Sequence, residues 1–258
     1  MNPLDLSPAP GAAGIDRMVL AQARIETRLL LRNGEQLVLA LVLPLLVLVI
    51  GATTGNLLDL GPGRRIDILA PGVLALAVLS TSFTSVAIAT GFERRYGVLK
   101  RLGATPLPRH GLLAGKTLAV MAVESVQVLL VGLVSLMLGW APVGGPAAVV
   151  AGLIVLLLGT AAFTALGLAL AGSLRAEATL ALANLVYVLL LVGGAVIVPL
   201  ARYPQTIQPL VALLPSGALA QGLRDVSAGA GVPFAACMVL LAWCTVGGLV
   251  AARTFRWE

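Results

Sequence analysis

The sequence contains few charged residues for its length. Only 11% of its 258 residues are Asp, Glu, Lys or Arg, whereas 59% are hydrophobic. A soluble globular protein of this size needs a larger share of polar side chains to cover its surface. The composition therefore excludes a soluble protein and predicts an integral membrane protein.

Aromatic residues and histidine are also scarce. Aromatic residues make up 4% of the chain, so its formal charge of +6 comes without the side chains that stack on nucleic-acid bases. The basic residues instead flank apolar runs, which argues against nucleic acid as a partner. The single histidine, His110, lies outside those runs, so there is no Ser–His pair within the membrane and no zinc-binding His-Glu-x-x-His helix. We therefore expect the chain not to be an enzyme.

Cysteine is nearly absent. Cys237 and Cys244 lie seven residues apart in the last apolar run, too far apart to form a disulfide within one helix. We expect both to be small apolar residues of that helix, without a metal or redox role.

Six apolar stretches are each close to the roughly twenty residues that cross a bilayer. They predict transmembrane helices at 37–54, 68–90, 117–140, 147–171, 178–200 and 233–252. Pro44 lies inside the first stretch, where a packed membrane helix tolerates a kink. The pattern predicts an all-α, polytopic protein with one transmembrane domain over residues 1–258.

Three further segments have their own patterns. An interfacial helix on the membrane headgroups is predicted at 15–33, because one of its faces carries a stripe of arginines, although a helix packed on a partner protein fits the same pattern. The stripe consists of Arg17, Arg24 and Arg28. Residues 91–116 form a charged loop. Residues 201–232 are apolar but broken by prolines, which predicts short re-entrant helices in the outer interface.

The distribution of Lys and Arg predicts the orientation of the chain, because cytoplasmic loops of membrane proteins carry an excess of both. With a cytoplasmic N-terminus, 13 of the 17 Lys and Arg residues lie in cytoplasmic segments and 4 lie outside. The loop 91–116 alone carries six. Both termini are therefore predicted in the cytoplasm.

Two predicted spans contain polar residues at depth. Glu124 and Gln127 share one face of the third span, and Asn184 and Tyr187 share one face of the fifth. A carboxylate within the membrane costs about 3 kcal/mol, so Glu124 should face the interior of the bundle. These residues either form structural hydrogen bonds between helices or line a transport pathway.

The end of the charged loop approaches a phosphate-binding pattern. Residues 110–117 read HGLLAGKT, in which His110 replaces the first glycine of Gly-x-x-x-x-Gly-Lys-Thr. The segment also leads into a membrane span instead of following a buried strand, so the backbone cradle for phosphates has no scaffold. We predict that this chain binds no ATP and that Lys116 anchors at the headgroups.

Three segments of the sequence match the pattern of a known family. Residues 91–107 read GFERRYGVLKRLGATPL, residues 68–72 read ILAPG and residues 213–224 read LLPSGALAQGLR. Together they resemble type-2 ABC exporter permeases, which include daunorubicin-resistance-like drug exporters as well as polysaccharide and lipid exporters. Arg95 stands where this family often has a second acidic residue.

The resemblance implies partners and a coupling site. Residues 93–102 are similar to the coupling helix that contacts separate ABC ATPase subunits, and those subunits would bind ATP and Mg. A second permease subunit, identical or paralogous, would complete the pathway. The implied ATPase-coupling residues are Glu93, Arg94, Arg95, Tyr96, Leu99, Lys100 and Arg101, with Tyr96 and Leu99 as apolar anchors on one face.

The function implied is ATP-driven export. The cargo would be hydrophobic or amphipathic, such as a drug, an antibiotic or a lipid-like compound, because few charges line the spans. The resemblance places the protein among the lipids of a plasma membrane, as in the bacterial inner membrane. The alternative is an ion- or proton-coupled secondary transporter that uses Glu124, although the sequence lacks the inverted repeat that such transporters often have.

Overall fold

The computed structural model describes residues 11–32, 34–54, 60 and 63–254. Within these residues the chain is helical, without strands, in agreement with the predicted all-α class. The helices in chain order are α1 (Ile15–Arg32), α2 (Gly34–Thr53), α3 (Arg65–Val78), α4 (Val86–Arg95), α5 (Val98–Gly103), α6 (Arg109–Met137), α7 (Gly145–Ser173), α8 (Ala176–Gly193), α9 (Gln208–Ala212), α10 (Pro215–Ser227) and α11 (Phe234–Thr254). Position 33 of the predicted interfacial helix and the ends of the predicted domain, 1–10 and 255–258, lie outside the described residues.

Five helical stretches of the described chain are long and apolar enough to cross a membrane. They are Arg65–Arg95, His110–Met137, Gly145–Ser173, Ala176–Gly193 and Phe234–Thr254. The predicted span at 37–54 corresponds to α2, whose described apolar part, Leu41–Thr53, is shorter than the others. The protein is therefore a multi-pass membrane protein with five such stretches in its described part, against six expected.

Two helices have ends that differ from those of the predicted spans, for local reasons. Helix α6 begins at Arg109, eight residues before the predicted start, because the extended Pro108 marks the helix start and no breaker follows it. Helix α8 ends at Gly193 instead of continuing to 200. The chain then leaves the helix, since a side chain at Gly194 would overlap the Ser216 side chain of α10.

The second predicted span contains a π-helical segment, Leu79–Ser85, between α3 and α4. The three pieces form one continuous helical stretch of 31 residues. The Ser85 hydroxyl donates to the Ser80 carbonyl at 3.2 Å. The two residues are five apart in sequence, which is the interval of a π-helical turn. Such segments are rare and are frequently found at functional sites.

Helix α3 is the centre of the bundle, since its residues from Leu69 to Val78 are all buried. It packs against α2, α6, α7 and α10, while α7 and α11 pack along each other. Phe163 of α7 is fully buried and meets Phe83 edge to face, with ring centroids 6.4 Å apart. The apolar core therefore lies around α3 and the inner face of α7.

The segment 201–232 forms short helices, of which α10 is deeply embedded. Ten of its 13 residues are buried, between α3, α7 and α11. Leu219 is fully buried and lies against Gly159, near the middle of α7, where any side chain on that glycine would clash with it. Helix α10 thus enters the bundle rather than lying along its edge.

Arg224 fixes the irregular segment 194–199 to the bundle. Its guanidinium donates to the carbonyls of Ala195 at 2.7 Å and Val196 at 2.6 Å. A side chain at Gly72 of α3 would overlap the Val196 carbonyl oxygen, so only glycine permits this close approach. Burial lowers the pKa of Arg224 to about 10, which leaves the guanidinium charged at neutral pH.

Candidate functional site

One end of the bundle is held by a buried ion cluster that we name the Lys116 triad, composed of Glu26, Glu93 and Lys116. The Lys116 ammonium lies 2.9 Å from Glu26 Oε1 and donates to Glu93 Oε1 and Oε2 at 2.9 and 2.6 Å. The Lys116 side chain is only 5% exposed. The triad joins α1, α4 and α6, because each helix supplies one of its members.

The triad depends on the close packing of α1 on α6. A side chain at Gly115 would clash with Gln22 of α1, so the helices meet closely there. Gln22 also donates to Glu26 Oε1 at 2.8 Å. The buried face of α1 is therefore Gln22, Ala23 and Glu26, a polar and small-residue face that the apolar pattern of the sequence did not predict. The predicted arginine stripe of Arg17, Arg24 and Arg28 is exposed.

The predicted coupling helix at 93–102 is interrupted. Helix α4 ends at Arg95, and α5 begins at Val98 after a turn at Tyr96 and Gly97. Gly97 has φ of 69°, a left-handed conformation that favours glycine and ends the preceding helix. The prediction of one continuous helix was therefore wrong, because it overlooked this glycine as a stop signal.

The first three charged residues of the predicted coupling site contact the chain itself. Glu93 belongs to the Lys116 triad. Arg94 donates to the carbonyls of Gly172, at 2.9 Å, and Leu174, at the end of α7. The Arg95 guanidinium pairs with the Glu177 carboxylate at the start of α8. These side chains connect α4 to three other helices rather than projecting together from the surface.

The prediction that Tyr96 and Leu99 form an apolar anchor on one helix face is also wrong. Leu99 is fully buried in a small core with Leu107 and Leu112, whereas Tyr96 is 68% exposed. The left-handed turn at Gly97 separates the two side chains, so the helical spacing of three does not apply to them. Between Tyr96 and Leu102 the exposed residues are Tyr96, Val98, Lys100 and Arg101, which we name the α5 rim.

A second polar group, the hydroxyl–carboxyl cluster, lies near the middle of α6. It consists of Thr81, Ser82, Glu124, Gln127 and Thr160. The hydroxyls of Ser82 and Thr160 are hydrogen-bonded to the two oxygens of the Glu124 carboxyl group. The Thr81 hydroxyl donates to Gln127 Oε1 at 2.9 Å. The cluster ties α6 to α7 and to the π-helical segment, and all five residues are buried.

The other predicted interior pair does not join this cluster. Asn184 is exposed on α8 and donates to the Leu180 carbonyl of its own helix at 3.0 Å. Tyr187 is half-buried and packs against the apolar core. The assignment of Asn184 and Tyr187 to interhelical hydrogen bonds or to a transport pathway stays a prediction.

The residues of the near-phosphate pattern lie within helix α6. Lys116 is held by two carboxylates instead of anchoring at a headgroup, which corrects that prediction. Over the described part of the chain, no group of three or more His, Cys, Asp or Glu side chains is placed to hold a metal ion.

Several partners in these two sites escaped the sequence analysis. Glu26 is the one carboxylate in the middle of a basic helix, and this contrast in charge was the available signal for the Lys116 triad. The hydroxyl-rich stretch 80–85 was the signal for partners of Glu124. Thr160 carried no such signal, because threonine is common in apolar spans and this span also contains Thr164.

Comparison with known proteins agrees with this architecture. The sequence model of the family described as ABC-2 type transporter matches residues 12–228, which include both polar sites. The chain is also 28% identical over 175 residues to "Putative transport permease ycf38" of Pyropia yezoensis, covering 64% of this chain and 58% of that relative, less than two thirds of its length. Because the family match extends over most of the sequence, the chain belongs to the ABC-2 type transporter family.

Proposed function

We propose that this chain is the permease subunit of an ATP-driven exporter that moves hydrophobic or amphipathic compounds, such as drugs, antibiotics or lipid-like molecules, out across the plasma membrane. Separate ABC ATPase subunits bind ATP and Mg and contact its cytoplasmic side. A second permease subunit, identical or paralogous, completes the pathway, and membrane lipids surround both.

The proposed topology has six spans with both termini in the cytoplasm. Helix α2 is the sixth span: its 20 residues rise roughly 30 Å, the thickness of a bilayer core. The excess of Lys and Arg in 1–36 and 91–116 favours the orientation with the Lys116 triad on the cytoplasmic side. An even number of spans returns the C-terminus to that side.

The observation that carries the proposal is that the α5 rim begins at Tyr96, three residues after Glu93 of the Lys116 triad. The rim exposes Tyr96, Lys100 and Arg101, which suit contact with another protein. Behind it, Leu99 holds α5 to the bundle and Glu93 connects α4 to Lys116. A force on the rim therefore acts on rigidly connected helices instead of a free loop.

The movement expected from this arrangement is a rigid-body tilt. Helix α4 continues through the π-helical segment into α3, which reaches the Gly72–Val196 contact at the other end of the bundle. When ATP binding closes the partner ATPases, their displacement of the rim would tilt this stretch and open the pathway outward. Docking of the ATPases at one end of this long helix would thus drive export.

Co-purification and transport test the proposal. The chain is co-expressed with a candidate ABC ATPase, captured through a tag and reconstituted in liposomes. We expect the ATPase to be retained, and transport of an amphipathic dye to require MgATP. The matched variant Tyr96→Ala with Arg101→Ala should lose the ATPase, whereas the exposed control Ile25→Ala on α1 should keep it. Retention of the ATPase by the rim variant would contradict docking at this surface.

Glu124 supports a second candidate, an ion- or proton-coupled secondary transporter. Its carboxyl group is buried near the middle of α6, a depth at which carboxylates commonly belong to proton relays. This candidate requires transport by the chain alone, driven by a proton gradient. Reconstitution without an ATPase distinguishes the two: gradient-driven uptake supports the secondary transporter, and its absence together with ATP-driven transport supports the exporter.

A further inference from the structure

Helices α6 and α7 separate along much of their length and leave an apolar cavity beside Glu124. The cavity has a volume of about 290 Å³. Its walls are mostly aliphatic, including Met121, Leu129 and Leu157, while Glu124 and Thr160 supply polar atoms. Among the described residues that line the cavity, Glu124 is therefore the one acidic group, and the other polar residues are Ser125 and Thr160.

This cavity continues toward the other end of the bundle. A second cavity of about 380 Å³ shares Val128, Leu153 and Leu156 with the first and reaches Trp140. Gly132 lines it, and a side chain at that position would meet open space. The two cavities form one groove, which we name the α6–α7 groove, and each is close to or within the volume range of small-molecule sites.

The carboxyl group at the end of the groove is hydrogen-bonded but has no cation beside it. Each of its oxygens is bonded to one hydroxyl, from Ser82 or Thr160, and an ionised carboxylate has about four acceptor sites. Among the ion pairs of the described residues, none includes Glu124. Acceptor capacity therefore remains on a group that lines a cavity.

The hydrogen bonds of the site are satisfied with or without a charge on Glu124. The single hydroxyl proton of Thr160 lies within reach of both Glu124 and the Leu156 carbonyl, the latter at 2.9 Å. Thr160 donates to the ionised carboxylate. When the carboxyl is protonated, it donates to Thr160 instead, and Thr160 donates to Leu156. The site thus accepts a charged state whenever a cation compensates it.

We propose that the α6–α7 groove binds hydrophobic cations, in which an ammonium or phosphonium centre lies beside Glu124 and the apolar body occupies the cavities. In an apolar environment an unpaired carboxylate is strongly disfavoured, and a cation of this kind supplies the missing partner. The inference rests on the proposed export function and assigns the class of cargo to a site within one subunit.

Binding to the purified full chain in lipid nanodiscs tests the inference without an ATPase. The probe is tetraphenylphosphonium, measured against empty nanodiscs, with neutral triphenylphosphine as comparator. We expect Glu124→Gln to weaken binding of the cation roughly tenfold or more and to leave the comparator unchanged, because a single charge–charge contact is lost in an apolar site. The matched control Glu177→Gln, at the exposed start of α8, should bind like the original protein.

A second variant tests the groove by volume rather than charge. Gly132→Leu adds a side chain at a wall of the second cavity, where a Cβ atom meets no neighbour within 4 Å, and it should weaken binding of the cation by a similar factor. Gly248→Leu is the matched control, because Gly248 of α11 also faces open space but lies outside the groove. This pair keeps the test valid even if Glu124→Gln folds poorly.

The outcomes separate the cargo site from the export function. Unchanged cation binding in Glu124→Gln overturns the inference. Equal losses for cation and neutral comparator also overturn it, since the groove would then hold an apolar chain of any kind. If cation binding fails while the ATPase still co-purifies, only the site is wrong; if binding follows our expectation and no ATPase is retained, only the proposed function is wrong.

Discussion

Lys116 of α6 donates two hydrogen bonds to the Glu93 carboxylate at the end of α4, at 2.9 and 2.6 Å, and lies 2.9 Å from Glu26 of α1. One buried ammonium is thus shared by carboxylates from two helices. Removing it leaves two carboxylates close together without a cation, which costs more than the loss of a surface ion pair.

We expect Lys116→Ala to destabilise the protein by about 3–5 kcal/mol, because it leaves uncompensated buried charges. The measurement is thermal unfolding in detergent. Lys100→Ala, on the exposed α5 rim, is the control and should change stability by about 0.5 kcal/mol or less. Equal unfolding temperatures for the two variants would show that the triad contributes nothing to stability.

Leu99→Ala should destabilise the α5 region by about 2–5 kcal/mol, since it opens a cavity in the core shared with Leu107 and Leu112. Tyr96→Ala should leave stability unchanged, because the side chain is 68% exposed. Capture of the ATPase, normalised to folded protein, separates the two effects. A Tyr96→Ala variant that unfolds like Leu99→Ala would contradict the orientation of the rim.

Gly72→Ala should destabilise the bundle by about 1–3 kcal/mol, because the added methyl group displaces the Val196 carbonyl that Arg224 holds. Gly248→Ala is the control, since its new methyl group meets open space and alanine is the better helix former. Comparing the two unfolding temperatures checks the prediction, which fails if Gly72→Ala is as stable as the control.

Glu124→Gln should leave the fold intact, with a stability change of about 1 kcal/mol or less. The glutamine carbonyl can accept from Ser82 and its amide can donate to Thr160, so both contacts persist. Under the proposed function, ATP-driven transport of an uncharged cargo persists as well. Normal expression with complete loss of that transport would favour the proton-coupled alternative.

The purified chain without an ATPase should gain no thermal stability from MgATP. Gly115 and Lys116 lie inside a helix, and the lysine is held by two carboxylates, so no phosphate cradle forms. Unfolding curves with and without MgATP measure this, and MgCl₂ alone controls for an effect of the metal. A shift specific to ATP would contradict the prediction.

Composition and apolar runs were enough to predict the helical membrane fold, because burial in a bilayer requires long uninterrupted apolar helices. Burial of Glu124 and Gln127 also followed from the cost of polar groups at depth. The hydrogen-bond partners of these two residues could not be predicted, because the neighbours of a helix in a bundle are set by packing between segments far apart in sequence. Ser82 and Thr160 are 42 and 36 residues from Glu124.

The charged loop was the least predictable part. Its helical periodicity suggested one docking face, but Gly97 interrupts the helix and changes the direction of the chain after it. The charges of Glu93, Arg94 and Arg95 were expected at a protein contact because the segment resembles the coupling helix of type-2 ABC exporter permeases. In the structure they bind α6, α7 and α8, which no local pattern specifies.

The π-helical segment Leu79–Ser85 also determines the rotational phase of α4 relative to α3. A π-helical turn contains one residue more than an α-helical turn. The side chains beyond it are therefore rotated by about 100° from the directions that a continuous α-helix of the same sequence would give them. Conversion of the segment to a regular α-helix without a change in its number of residues would rotate Glu93 away from Lys116 while α3 kept its core contacts. The extra residue thus sets the direction of Glu93 from a distance, and a one-residue deletion within the segment should keep the Lys116 triad because it restores the α-helix without changing that direction.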